Sequence, residues 1–460
     1  MMSTDSFGIS GPNAPTISEK IVAGTLNAIQ PLLPEDKIHQ VCAEVQYSWR
    51  DRVLSPGVTV LHMILAALWP EESFNASWQV QWVAVASRYP ELAGQSPSRG
   101  TVANARKRLP LAVWEKLCAY VSATAQAWGE AFAYWRGHRV VLLDGTCVSM
   151  PDEPVLFQAF GVNTGYHGKG RYPLARVATL CLAGTMTVIA YALGGYRDSE
   201  WTLALSILGT LRNGDLLLAD RYFAAAHYYW RYQSLGLEFL TRAHQRLIIA
   251  RIKRVQSYSR NDFLGWLAIN KNCRRKDRRL AQHLLVRFVQ ATVRIRGRHQ
   301  VIWLVTSLLD DKQYPAAEIV QLYGRRWRIE TAFEQLKIRL SADVLRSHSP
   351  EGIRKEFAAR CIALNVVHSI LLEAASLHHV DPMRLRFAHA VRAILIFSPA
   401  LACAPILRLP QIYRALISEI AHHLVPERPG RIEPRAVRRE HKHYPALKET
   451  RAEWRSRYAA

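Results

Sequence analysis

The sequence predicts an α/β fold, a mixed sheet flanked by helices, with an all-helical domain before it and a basic, helical region after it. Three observations carry this. Ahead of residue 130, "ISEKIVAGTLNAIQPLL", "SPGVTVLHMILAALW" and "TVANARKRLPLAVWEKLCAYVSATAQAW" place apolar residues at three- and four-residue steps, the period of helices. From residue 138, short apolar runs bounded by turn residues read as strands: "HRVVLLDGTCVSMP", "ARVATLCLAG" and "MTVIAYALGG" around a turn at Gly184, then "GDLLLADRYF". Helical spacing returns in "SEWTLALSILGTL", capped by Ser199, and in "YGRRWRIETAFEQLK". The expected boundaries are 1–130 for the helical domain, 138–375 for the α/β domain with a β-rich insertion at about 242–300, and 376–460 for the last region.

At 460 residues the chain is about three times the usual domain length, and 49% hydrophobic residues provide for a full core. The net charge of +23 favours a polyanionic partner, with nucleic acid ahead of a membrane surface. The apolar run Ala393 to Leu407 is interrupted by Pro399 and Pro405 and is too short to span a bilayer. The start, "MMSTDSFGISGPNAP", has no secretory pattern, so a cytoplasmic, nucleoid-associated protein is expected. Seven scattered cysteines without a C-x-x-C pair read as reduced fillers. Three histidine pairs, His422 with His423 among them, lack zinc-site partners in sequence and read as solvated surface.

The charge is concentrated. Arg242 to Gln300 holds sixteen Lys and Arg against Asp262 and Asp277, a net of +14, yet alternates with foldable apolar segments such as "FLGWLAI". A basic subdomain is expected, with Arg274, Arg275 and Lys276 toward DNA. A second basic candidate is the helix after Ser98 and Thr101, which displays Arg106, Lys107 and Arg108 as the second helix of a helix-turn-helix would.

Two strand-like runs each end in an aspartate, Asp144 in "LLDGT" and Asp220 in "LLLADRYF". If the strands are neighbours, these carboxylates converge and repel each other unless a cation lies between them. Oxygen ligands of this kind favour magnesium or manganese. Further along, Tyr323, Arg326, Glu330 and Lys337 fall within about 60° of one another on an α-helix, backed by Trp327, Ile329, Phe333 and Leu336. Glu330 can complete a three-carboxylate site, with Arg326 and Lys337 on DNA phosphates and Tyr323 bonding the same backbone. Two metal ions would then serve an in-line displacement at phosphorus.

"YGRRWRIETAFEQLK" resembles the Y-x2-R-x3-E-x6-K signature of the insertion-sequence-four family of bacterial DDE transposases at Tyr323, Arg326, Glu330 and Lys337. "LLDGT" and "LLLADRYF" resemble the segments around that family's first two catalytic aspartates, and the likeness covers roughly residues 138 to 375. It implies an RNase H-like core with a β-rich insertion before the glutamate, and a catalytic and metal-holding triad of Asp144, Asp220 and Glu330. It further implies end cleavage, hairpin formation on the flanking DNA and strand transfer. A tryptophan leaving the insertion would stack on a flipped base; Trp303 is the candidate and Trp266 its competitor. The implied partners are double-stranded DNA, both the terminal inverted repeats and the target, and a second copy of the chain at synapsis. The N-terminal helices resemble an end-recognition domain, and "RIEPRAVRREHKHYP" resembles a basic tail. A nuclease or resolvase of the same core, or an inactive DNA-binding relative, would share parts of this pattern.

Overall fold

Strand β2 (His138–Ser149) lies near the centre of the sheet and explains why the sequence there is apolar on both faces. Val141 and Leu143 point into one core with Ala178, Leu180 and Phe223, while Val140 and Leu142 point into another with Leu216, Leu218 and Ile319. The computed structural model describes residues 32–50, 53–88, 90–165, 168–295, 298–426 and 451–458. Nearly all of the first expected helix and the segment "RIEPRAVRREHKHYP" lie outside them.

Twelve strands are present among the described residues: β1 (Tyr134–Trp135), β2, a small ribbon of β3 (Thr164–Gly165) and β4 (Gly168–Lys169), β5 (Leu174–Leu182), β6 (Val188–Gly195), β7 (Leu216–Ala219), β8 (Glu238–Arg242), β9 (Lys253–Ser259), β10 (Asp262–Ala268), β11 (His283–Ile295) and β12 (Arg298–Thr306). Ten form one sheet in the order β6-β5-β2-β7-β8-β12-β11-β10-β9, with β1 paired to β2. The β2–β7 and β7–β8 pairs are parallel and the others antiparallel. Strands β6-β5-β2-β7-β8 are the mixed five-stranded core of an RNase H-like fold. The basic insertion folds as β9 to β12 and extends this sheet through β12 on β8. A buried bidentate pair, Arg139 Nε to Asp215 Oδ1 at 2.8 Å and Nη2 to Oδ2 at 2.5 Å, ties the start of β2 to the residue before β7.

The chain divides into two compact units. One comprises Ser122–Phe357, Val380–Arg384 and Val425–Ala460 and contains the sheet; the other comprises Met1–Val121, Ala358–His379 and Leu385–Leu424. Within the second, all regular elements among the described residues are helical, and the helix Pro56–Leu68 is buried along its whole length. Among the described residues, the helix that is long and apolar enough to cross a membrane is Pro350–Leu377, not the stretch from Ala393, and 94% of its most apolar window is buried within the protein. A helix hydrophobic all round is what a protein interior also requires.

Candidate active site

The last paired residues of β2 and β7 are Leu143 and Ala219, so Asp144 and Asp220 follow in the same register on adjacent parallel strands. Their backbones are roughly one strand spacing, about 4.8 Å, apart. The sequence suggested that β2 stops at Asp144 in a glycine turn. Instead β2 runs on to Ser149, paired with β5 through Ser149↔Leu174, and only its pairing with β7 ends before Asp144. Gly145 is therefore not a turn former. A Cβ there would lie 2.5 Å from Cδ of Glu200, so glycine makes room for a fourth carboxylate. Asp220 opens a short 3₁₀ turn, its Oδ1 accepting the Tyr222 N–H at 2.7 Å.

Glu330 arrives from the opposite side of the site. The helix Ala316–Gly324 packs Ile319, Leu322 and Tyr323 on the β2, β7 and β12 face, and the chain continues through a 3₁₀ turn at Arg325–Trp327 into the helix Arg328–Glu334. Arg328 Nη1 donates to the Ala183 carbonyl at 2.9 Å and anchors that helix to the β5–β6 turn. The four signature residues thus do not share one uninterrupted α-helix. Gln335–Arg339 is a π turn closed by the Leu340 N–H on the Gln335 carbonyl, which shifts the phase and lets Lys337 Nζ donate to Thr146 Oγ1 at 3.3 Å.

Arg326 joins the acidic groups. Its guanidinium lies 3.6 Å from Asp144 Oδ2 and 3.5 Å from Glu330 Oε1, with the arginine only 7% exposed. Glu334 instead pairs with Arg339 at 3.1 Å. Asp144, Asp220, Glu330, Tyr323, Arg326, Arg221 and Arg242 all line one cavity of about 510 Å³, together with Trp327 and residues of β11 and β12. Burial pushes the Asp144 carboxyl up to about 6; the Gly145 N–H opposes this, while Asp220 and Glu200 add to it. Glu200 is raised too, first by burial, with Asp220 adding and Arg176 opposing. Burial also pushes the Tyr323 phenol to about 12, so it stays protonated as a donor.

The remaining predicted residues are scattered. Trp303 lies on the opposite face of β12 from cavity-lining Ile302 and Leu304, edge-on to Phe263 at 5.7 Å. Trp266 is 42% exposed. Trp327, read from the sequence as core backing, is 54% exposed, with the Arg326 guanidinium 4.4 Å from its ring centre. Arg106 turns inward over Phe74 and toward Met63 Sδ, while Lys107 faces outward. Arg275 and Lys276 are exposed and Arg274 Nε donates to the Ile269 carbonyl, but Arg287 of the same basic block is fully buried against Asp262. Glu200 was missed because one glutamate after a serine cap looks like ordinary helix-start chemistry.

The family described as "Transposase DDE domain" matches residues 135–366, half of the chain. The transposase InsG for insertion sequence element IS4 of Escherichia coli (strain K12) is 27% identical over 335 residues, covering 70% of this chain and 73% of that protein. The transposase for insertion sequence element IS421 of Escherichia coli is 35% identical over 85 residues, 18% of this chain and 22% of that protein. With this family match over half of its length and a mixed sheet of RNase H-like order, the chain belongs to the DDE transposases of the insertion-sequence-four family.

Proposed function

We propose that this transposase binds the ends of an insertion element, cuts them free and joins them to target DNA, with Asp144, Asp220 and Glu330 as its catalytic, metal-holding triad. The observation that carries this is the convergence of the three carboxylates on one cavity with Arg326 between two of them. The donor set is all oxygen, and the Asp144 carboxyl, raised chiefly by burial with Asp220 and Glu200 adding, is one whose charged form a cation would favour. Both features fit magnesium or manganese, and two ions suit three carboxylates and a phosphate. Such ions supply charge neutralisation at phosphorus and a more acidic water when bound.

The chain's own groups do the rest. Asp144 stays paired in β2 against β5 and Asp220 directly follows β7, so both stand where the β2–β7 pairing leaves off. Arg221 and Arg242 at the cavity offer donors to backbone phosphates, and Tyr323 keeps its phenolic proton there. Water attacks the scissile phosphorus and the bond to the element's 3′ oxygen breaks, leaving a 3′ hydroxyl and a flanking 5′ phosphate. That hydroxyl then attacks a target phosphodiester, joining element to target and releasing a target 3′ hydroxyl. Lys107, Arg275 and Lys276 lie outward for sequence-independent phosphate contacts. The domains at 1–130 and 138–375 correspond in this reading to end recognition and chemistry, with a homodimer pairing two ends.

The test uses duplexes carrying the element's inverted repeats. Asp144→Asn, Asp220→Asn and Glu330→Gln each lose magnesium-dependent cleavage while keeping end binding. Full cleavage by any of them removes that residue from the triad.

A further inference from the structure

Outside the triad, three side chains from two stretches of the helical unit converge. His389 stands in the first turn of the helix Phe387–Cys403, Glu419 in the last turn of Leu409–His422, and His423 caps that second helix. Glu419 and His423 are four residues apart and share a helix face. Glu419 Oε1 lies 3.3 Å from His389 Nε2 and 3.0 Å from His423 Nε2, and the three donor atoms all fall within 4.8 Å of one another. Around a tetrahedral zinc ion with ligand bonds of about 2.0–2.2 Å, neighbouring ligand atoms sit about 3.3 Å apart.

We infer that His389, Glu419 and His423 form a transition-metal site of the zinc type, distinct from the oxygen-only triad and unconnected with cleavage. A further observation supports it. The Nε2 of His389 is buried without a well-formed hydrogen bond, although the carboxylate is beside it. The two imidazole ring centres lie 3.7 Å apart, a contact that repels when both are protonated; sharing one tetrahedral ion through Nε2 would open it to about 5 Å. The backbone around them is also fixed: Leu385 bridges to Leu424, and the Arg386 N–H and Nε donate to the His423 and Leu424 carbonyls at 3.3 and 3.0 Å. Two nitrogens and one oxygen select zinc or cobalt over magnesium, and the exposed sides of Glu419 and His423 leave room for a fourth ligand. The ion would pin the start of one helix to the end of the other.

The full-length Asp144→Asn/Glu330→Gln protein, which weakens the triad as a competing site, is titrated with Co2+ and Zn2+ alone. One equivalent of Co2+ with the intense visible bands of tetrahedral coordination is expected, displaced by Zn2+, together with a rise in melting temperature. His389→Ala and His423→Ala should weaken binding ~100-fold or more, beyond the loss of an outer-shell partner, and Glu419→Gln should weaken it while keeping the fold. His422→Ala is the control, since its Nδ1 faces the Ser418 carbonyl, and it should bind normally. Absence of tetrahedral bands, or bands unchanged in His389→Ala, His423→Ala and Glu419→Gln, overturns the inference; so does equal loss in His422→Ala.

Discussion

Asp144→Asn should leave the chelated protein more stable while stopping cleavage. In the folded chain the Asp144 carboxyl is pushed from 3.8 to about 6, chiefly by burial. That difference corresponds to about 3 kcal/mol. Because the folded value is the higher one, folded protein keeps a proton that the unfolded chain has released. Stability from this group therefore falls as pH rises from about 4 to about 6, and the full penalty persists above that. Asparagine removes the charge yet retains an oxygen for the Gly145 N–H, which Asp144 Oδ1 accepts at 2.8 Å. Arg326 loses one of its two carboxylate neighbours, a loss already contained in that difference. The gain, about 3 kcal/mol, amounts to a rise of about 5 °C in the melting temperature of the α/β unit at pH 7.5 in chelator. Differential scanning calorimetry of both proteins at pH 7.5 and pH 3.5 measures it. A variant that melts lower at pH 7.5, or one that shows the same gain at pH 3.5, refutes buried charge as the source of strain. Magnesium should then stabilise the wild type more than the variant, since ligand binding to the folded form adds to its stability.

Glu330→Gln should lose end cleavage and Glu334→Gln should keep it, because Glu334 is engaged by Arg339; equal loss in a cleavage assay would reverse the assignment. Arg287→Ala strands the Asp262 carboxylate inside the sheet and should cost about 3–5 kcal/mol in urea unfolding, whereas Arg287→Met with Asp262→Leu should recover most of it. Replacing exposed Arg275 and Lys276 with alanine should reduce the slope of log affinity against log salt by about 2, and an unchanged slope would make them plain surface.

The convergence of Asp144 and Asp220 was legible because the strands that lead to them are buried on both faces. Each of these apolar runs is followed by an aspartate, and the β2–β7 pairing ends just before them, at Leu143 and Ala219. The end of β2 was not legible, since a glycine after an aspartate reads as a turn, and only the position of Glu200 shows why that glycine is needed. Helical angles could not show the π turn, which inserts a residue without changing composition, so Lys337 reached Thr146 by a route that periodicity does not give. Nor could charge counting separate buried Arg287 from exposed Lys276. His389 and Glu419 were invisible as partners of His423 because the chain between the helices, not local spacing, brings them together.

Anomalous diffraction from manganese in crystals of the protein bound to inverted-repeat DNA addresses the central claim most directly. Manganese density coordinated by Asp144 together with Asp220 and Glu330, at the scissile phosphate, is the predicted result. Manganese elsewhere, with these three carboxylates coordinating nothing while the DNA end is in place, would contradict the account.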